Sequence, residues 1–282
     1  MTIVVTAKVT DGIVLAADSA ASFFMPGAAA PLKIYNHANK IFNLVKVWPI
    51  GAMVYGAGGI GAASVETLSK DLRRRLSTPS DPDYGLNQET YTIEEVAIKA
   101  RKFLFEESYL KAFTTPPVGF FMGYRVCGYS ANAALSEVWE FFINGPDCLA
   151  PYKIQAIDEF GLRWAGENEA LDRLLFGTTA GLTRWLADQG LIQSSAVDTV
   201  FSQIVGQFGA TLVMPAMPIQ DAIDVARFAV ETAAKFAKYG LRPETIGGPV
   251  EIAAITKHEG FKWVARKHYY ASELNRETNH GR

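Results

Sequence analysis

The threonine at position 2 has the clearest chemical potential in this sequence. Aminopeptidases that remove an initiator methionine accept only a small second residue, so we expect a mature chain that begins with a free Thr2. A threonine hydroxyl is a weak nucleophile by itself. An α-amine with a pKa of roughly 7.7 to 8 can take its proton near neutral pH. Thr2 would then supply both nucleophile and base, and no histidine is required.

Asp18 is the acidic residue that a hairpin would bring near Thr2. Two strand-like runs flank Asp11-Gly12, so the first eighteen residues predict a β-hairpin. A three-residue loop, Thr10 to Gly12 with Gly12 left-handed, would pair Val9 with Ile13 and Val4 with Asp18. Asp18 would then be a diagonal neighbour of Thr2, roughly 7 to 8 Å away. A two-residue Asp-Gly loop would turn Asp18 to the opposite face.

These residues carry a family resemblance. Thr2-Ile3-Val4 and the run from Asp11 to Asp18 resemble the opening of proteasome β-type subunits, and the spacing from Thr2 to Asp18 matches the family's spacing from nucleophile to aspartate. The bacterial branch, with HslV and Anbu-like proteins, looks closer than the eukaryotic one. The resemblance implies the N-terminal-nucleophile hydrolase fold, which is α+β: a four-layer αββα sandwich of two antiparallel sheets.

The resemblance also implies a site lysine. Family members have a Lys-Ile/Leu-Phe strand, similar here to Lys40-Ile41-Phe42. In the family, a lysine a few residues earlier lowers the pKa of the threonine amine and pairs with the aspartate, which is Asp18 here. By this resemblance we expect Lys33 in that role. A surface charge at a strand end is the alternative, since Asn36 occupies the position of an ungapped match.

A glycine-rich turn, Gly56 to Gly61, follows a predicted buried strand and precedes a predicted helix. Backbone N–H groups at such a turn suit an oxyanion hole, although turns also use glycine for its backbone freedom alone. The family has a similar Ala-Gly-Gly turn, which implies that the Gly58 N–H binds the oxyanion. We expect Gly56 and Gly59 to contact substrate.

The family's accessory serine and Asp…Ser pair are not reproduced. The corresponding stretches are residues 166–169 and 242–248. Glu167, Glu244 or Thr245 could orient the amine instead, because a carboxylate or hydroxyl can do so. Each could equally be a helix cap or an exposed loop residue.

No Pro/Ser-rich linker divides the sequence, so we expect a single domain over residues 1–282. The predicted order is a hairpin, a loop from Ser19 to Pro31, a Lys-Ile-Phe strand, a glycine turn, two helices, a β-meander, further helices and a closing hairpin.

The first helix is expected from about Gly61 to Leu76, and the second from the capping box at Thr92 to about Ala112. A long helix from Ile219 to about Tyr239 should place its apolar side chains on one side: Ile223, Ala226, Val230, Ala233 and Phe236. A helical insertion at about 177–215 could be an assembly contact. The polar tail at about 267–282 is open to disorder or to docking on a neighbour.

Composition excludes several other classes of function. The net charge of −2 with interspersed signs does not favour nucleic acid, and no run is long and apolar enough for a membrane. The four dispersed histidines predict no metal site, and we expect no cofactor. Cys127 and Cys148 lie in apolar surroundings, which predicts buried, reduced thiols and a cytoplasmic protein without a signal peptide.

Three functions are therefore considered. The first is a threonine-type peptidase that acts on peptides or unfolded protein, confined in a homo-oligomeric ring as the resemblance implies, with any ATPase partner unspecified. The second is a non-catalytic structural subunit of such a ring. The third is an N-terminal-nucleophile amidohydrolase that acts on a small amide.

Overall fold

The computed structural model describes residues 2–23, 31–241 and 243–267, and within these ranges the fold is α+β. The strands, in chain order, are β1 Ile3–Val9, β2 Gly12–Ala17, β3 Ala21–Phe23, β4 Lys33–Tyr35, β5 Ile41–Asn43, β6 Ile50–Gly56, β7 Gly59–Ile60, β8 Ala63–Ser64, β9 Phe121–Gly128, β10 Glu137–Asn144, β11 Tyr152–Gln155, β12 Gly161–Gly166, β13 Glu251–Thr256 and β14 Gly260–Ala265. The helices are α1 Val65–Leu76, α2 Ile93–Arg101, α3 Leu110–Ala112, α4 Glu169–Leu171, α5 Ala180–Asp188, α6 Val197–Phe208 and α7 Ile219–Tyr239. Shorter π and 3₁₀ segments are Lys102–Tyr109, Asp172–Phe176 and Ser194–Ala196.

Two five-stranded antiparallel sheets form the centre of the described chain. Their strand orders are β12-β1-β2-β13-β14 and β11-β10-β9-β6-β5. Short strands β3 and β4 pair with each other, as do β7 and β8. The first sheet places the N-terminal strand between β12 and β2, so the residues around Thr2 are held from both sides.

Three clusters of buried apolar side chains hold these elements together. Ile3 and Val5 of β1 pack with Ala226 and Val230 of α7. On the other side of β1, Val4 belongs to a cluster that includes side chains of both sheets. A third cluster packs α1 and α2 on the second sheet. Successive side chains of β1 point to opposite faces of the sheet, and both faces of this strand, which follows Thr2, are therefore buried.

The helices confirm the periodicity in the sequence. Ser64 caps α1 by accepting a hydrogen bond from the Thr67 N–H, and Thr92 caps α2 by accepting one from Glu95. In α7, Ala226 and Val230 are buried as expected, whereas Phe236 is 48% exposed. Predicted helices in the 177–215 segment correspond to α5 and α6.

The register of the N-terminal hairpin differs from the predicted one. Val9 pairs with Gly12 and Val4 with Ala17, so the loop is Thr10-Asp11 and the predicted pairing of Val4 with Asp18 is wrong by one residue. The expected diagonal placement of Asp18 beside Thr2 is wrong with it, because Asp18 lies opposite Ile3 and its N–H donates to the Ile3 carbonyl. Gly12 does not have a positive φ. A Cβ at Gly12 would lie 2.7 Å from the Ile255 carbonyl oxygen, so the close approach of β13, rather than a left-handed turn, requires glycine there.

Two sequence expectations concern residues only partly covered by the structure. In the predicted loop from Ser19 to Pro31, residues 24–30 lie outside the described ranges. The predicted tail contributes only Lys267 to the described residues, and residues 268–282 lie outside them. Among the described helices, none has the length and apolar character that crossing a membrane needs.

Candidate functional site

A buried ion pair lies next to the start of β1. The Lys40 ammonium is 2.5 Å from Asp18 Oδ1, and the two side chains are only 5% and 0% exposed. Burial lowers the pKa of Lys40 from its ordinary value; the neighbouring Lys267 adds to this effect and Asp18 opposes it. Burying the charged Lys40 ammonium costs free energy, and the opposite charge of Asp18 offsets that cost.

Backbone N–H groups fix the Asp18 carboxylate. Oδ1 accepts a hydrogen bond from the Ile3 N–H at 3.1 Å, and Oδ2 accepts from Ala20 at 3.0 Å and from Gly247 at 3.1 Å. The Asp18 N–H donates to the Ile3 carbonyl at 3.3 Å. Because Lys40 and the Ile3 N–H meet at the same carboxylate oxygen, the ammonium lies within a few ångströms of the peptide bond that follows Thr2.

The structure brings Lys40 to Asp18 and leaves Lys33 elsewhere. Lys33 is an exposed residue of β4, and its ammonium lies 5.9 Å from the centre of the Tyr35 ring. Strand β5 begins at Ile41, so Lys40 is the residue immediately before the strand. The expected contact of Lys33 with Asp18 is therefore replaced by one from Lys40.

The backbone of Thr2 is held by the end of β12. Thr2 is only 3% exposed, and its carbonyl accepts a 2.8 Å hydrogen bond from the Glu167 N–H. Gly166 has φ +103°, and a Cβ there would lie 1.8 Å from the Thr2 carbonyl oxygen. Only glycine permits this approach, so Gly166 is a site-forming residue that the sequence reasoning did not single out.

The glycine turn separates into a structural part and an open part. Gly56 has φ +84°, and a Cβ there would lie 2.4 Å from the Phe121 carbonyl oxygen, so the backbone alone accounts for this glycine. At Gly59 a Cβ would lie 3.0 Å from the Ala63 carbonyl oxygen. A Cβ at Gly58 would meet no atom within 4 Å, so Gly58 borders open space.

The three suggested substitutes for accessory residues lie in different environments. Glu167 is half-buried, and its backbone rather than its side chain contacts Thr2. Glu244 is exposed, whereas Thr245 is 3% exposed. The nearby Gly247 N–H contacts Asp18 directly. The 243–248 stretch thus reaches the site through a backbone donor, which no side-chain motif could reveal.

The sequence also gave no signal for a second buried ion pair near Asp18. The Lys267 ammonium lies 3.4 Å from Glu251 Oε2, and the side chains are 5% and 1% exposed. Lys267 donates hydrogen bonds to Ser19 Oγ and to the Ala38 carbonyl, both at 2.6 Å. A lysine at the start of a polar tail and a glutamate in a strand offer no recognisable spacing, so only the fold brings them together.

The cysteines have the environment expected of structural thiols. Cys127 and Cys148 are free and buried, and burial raises the pKa of Cys127 to about 12 and that of Cys148 to about 11. Such thiols are protonated near neutral pH and are poor nucleophiles. Within residues 2–23, 31–241 and 243–267, no group of three or more histidine, cysteine, aspartate or glutamate side chains is arranged to hold a metal ion.

Comparison with known proteins gives a structural likeness. No protein-family model and no curated protein matches the sequence. Among solved structures, the chain resembles an Anbu (Gly-1) mutant from Hyphomicrobium sp. strain MC1, with a TM-score of 0.52 and 11% sequence identity. The match covers 97% of this chain and 92% of that chain. At this identity the likeness shows a shared fold, and it agrees loosely with the proteasome-like resemblance of the N-terminal residues.

Proposed function

We propose that this protein is an N-terminal-nucleophile amide hydrolase of the proteasome-like class, with Thr2 as nucleophile once Met1 has been removed. The observation that carries the proposal is the shared contact at Asp18 Oδ1, which joins the Lys40 ammonium to the backbone next to Thr2. This contact places a buried cation near the peptide bond between Thr2 and Ile3, and on this proposal the same cation acts on the α-amine that would serve as the base. We further propose the four-layer αββα arrangement of this class.

In the proposed reaction, Thr2 Oγ attacks the carbonyl carbon of the substrate while the Thr2 α-amine accepts the hydroxyl proton. The amine then passes that proton to the leaving nitrogen, the C–N bond breaks, and an ester joins the acyl group to Thr2. Water then attacks the ester carbonyl carbon and gives a proton to the amine; the C–Oγ bond breaks, the carboxylic acid product leaves, and the amine returns the proton to Thr2 Oγ. The nucleophile and the base thus belong to one residue.

Lys40 and Asp18 would set the protonation state of that amine. A nearby ammonium lowers the pKa of an amine because two like charges repel. Asp18 holds Lys40 in place and compensates its burial. The contribution we assign to Lys40 is therefore electrostatic: it keeps the Thr2 amine neutral and able to accept a proton at neutral pH.

The Gly58 N–H is the proposed oxyanion donor. Two features support it. Gly58 lies in an Ala-Gly-Gly turn, and the space beside it is open, since a Cβ built there would have no atom within 4 Å. A donor that faces a site where negative charge develops typically contributes roughly 10²-fold to 10³-fold in rate. Gly59 is a weaker candidate for substrate contact, and Gly56 is explained by its backbone conformation.

Peptides or unfolded protein are the proposed substrates, and a homo-oligomeric assembly is the proposed means of confining the site. The test is hydrolysis of fluorogenic peptides and of small amides by the wild type, Thr2→Ala and Thr2→Ser. We expect peptide hydrolysis that is lost in Thr2→Ala and partly kept in Thr2→Ser, with unchanged assembly on size-exclusion chromatography. Hydrolysis that survives in Thr2→Ala would refute the mechanism. Turnover of small amides alone would reassign the substrate.

A further inference from the structure

Lys267 joins the two chain segments that carry the Asp18–Lys40 pair. Its ammonium donates to the hydroxyl of Ser19, the residue after Asp18, and to the carbonyl of Ala38, two residues before Lys40. The Ser19 hydroxyl in turn donates to the Pro249 carbonyl at 2.5 Å. The buried Lys267 ammonium, just after the end of β14, therefore contacts both the segment that carries Asp18 and the segment that carries Lys40.

Glu251 is the carboxylate that faces this cation. It is the first residue of β13 and is 1% exposed. Among the described residues neither carboxylate oxygen accepts a hydrogen bond, and the contact with Lys267 at 3.4 Å is long for an ion pair. A buried carboxylate with so few donors is costly. If Lys267 only held the two segments together, the Glu251 carboxylate would not be needed, since the Lys267 ammonium already donates to Ser19 Oγ and to the Ala38 carbonyl.

We propose that Lys267 and Glu251 are positioning residues of the site: Lys267 orders the segments that hold Asp18 and Lys40, and the two opposite charges together adjust the electrostatic field there. The inference rests on the proposed function of Thr2. It assigns to a strand glutamate and a C-terminal lysine part of the positioning that the missing accessory residues would have given.

The charged groups around the site define the sign of the effect. Asp18, Lys267 and Glu251 act on Lys40, and Lys267 is itself surrounded by Glu251, Asp18 and Glu66. Removing the Lys267 cation raises the pKa of the neighbouring amines, because their charged forms lose a repulsive partner. Removing the Glu251 anion lowers those pKa values, because the charged forms lose an attractive partner.

The experiment measures how fast an acetylated tetrapeptide α′,β′-epoxyketone labels Thr2 between pH 5 and pH 9, by intact mass. The proteins are the wild type, Lys267→Met, Glu251→Gln and the double variant. Lys262→Met serves as a matched control, because Lys262 is an exposed lysine on β14. Each labelling rate is divided by the folded fraction measured by circular dichroism at the same pH, so that partial unfolding of a variant does not shift the midpoint.

We expect the midpoint to move up in Lys267→Met and down in Glu251→Gln, each by roughly half a unit to one unit, which is below the 1 to 3 units of a directly contacting charge. The double variant should return towards the wild type, and Lys262→Met should not shift. Midpoints that stay fixed, or move in the same direction in both single variants, would overturn the inference and leave the proposed function intact. A wild type that takes no label would instead refute the proposed function on which the inference rests.

Discussion

The buried ion pairs Asp18–Lys40 and Arg125–Glu140 differ in what surrounds them. Asp18 and Lys40 lie next to the start of β1, and the Asp18 carboxylate also accepts hydrogen bonds from three backbone N–H groups. Arg125 and Glu140 lie on neighbouring strands β9 and β10, with the guanidinium Nε 2.9 Å from Glu140 Oε1 and 3.3 Å between Nη1 and Thr6 Oγ1. The first pair joins loops and strand ends, whereas the second joins the two sheets.

The choice of cation in each pair indicates a different task. Arginine stays protonated in proteins and forms several directed hydrogen bonds, which suits a fixed link between sheets. Lysine changes its pKa readily when buried, and burial does lower the pKa of Lys40. We infer that the Arg125–Glu140 pair stabilises the fold, and that the Asp18–Lys40 pair adjusts the reactivity of Thr2.

The largest expected effect is on activity. Lys40→Met should lower the rate of peptide hydrolysis by roughly 10²-fold to 10⁴-fold, the range for loss of a group that acts on proton transfer. Asp18 loses its buried cation but keeps its three backbone donors, so we expect a smaller loss of unfolding free energy than in Arg125→Met and a variant that still folds. Steady-state kinetics together with circular dichroism check this. Near wild-type rates in a folded Lys40→Met would contradict the role of Lys40.

The counterpart in the second pair is Arg125→Met. It leaves Glu140 buried without its cation, and breaking a buried pair in this way costs about 3 to 5 kcal/mol of unfolding free energy. Urea unfolding measures this loss. The labelling rate per folded molecule, with its pH midpoint, should match the wild type. A shifted midpoint would show that Arg125 also acts on Thr2 and would remove the contrast between the two pairs.

A backbone variant tests the positioning of Thr2 without a change in charge. Gly166→Ala places a Cβ against the Thr2 carbonyl and requires an unfavourable φ, which costs about 1 to 3 kcal/mol. We expect the labelling rate of Thr2 to fall more than tenfold at 25 °C, where the variant is still folded. Gly145→Ala is the matched control, because Gly145 also has a positive φ but open space at its Cβ. Equal effects of the two variants would mean that strain alone matters.

The smallest effect is expected for Lys33→Met. Lys33 is exposed on a short strand, so the unfolding free energy should change by at most about 0.5 kcal/mol and hydrolysis should be unchanged. Measured beside Lys40→Met, this variant distinguishes the two lysines directly. A loss of activity comparable to that of Lys40→Met would favour the sequence-based choice of Lys33.

The comparison also shows which parts of the molecule were accessible from the sequence. Periodicity predicted α1, α2 and α7, and the capping box at Thr92 marked the start of α2, because these signals are local. The start of α1 is Val65 and not the predicted Gly61.

The resemblance identified Asp18 by its spacing from Thr2. The predicted hairpin register was wrong, because Gly12 is required by the close approach of Ile255, more than 200 residues away, and not by a left-handed turn. The resemblance implies a site lysine a few residues before the Lys40-Ile41-Phe42 run, which points to Lys33, whereas in the structure Lys40, directly before β5, contacts Asp18.

The remaining site residues had no readable signal. Gly166 and Gly247 act through their backbone, and Glu251 and Lys267 meet only when β13 and β14 pair. Contacts of this kind depend on tertiary packing between distant segments. Patterns of neighbouring residue types therefore cannot reveal them.

The most direct measurement is the intact mass of the wild type before and after incubation with the peptide epoxyketone, with Thr2→Ala as control. The reagent closes a ring through both the hydroxyl and the free amine of an N-terminal threonine, so its whole mass is added. If Thr2 is the nucleophile, the mass will lack Met1 and gain one adduct per chain, and the adduct will be absent in Thr2→Ala. Retained Met1 without an adduct would contradict this role of Thr2 and favour a non-catalytic subunit.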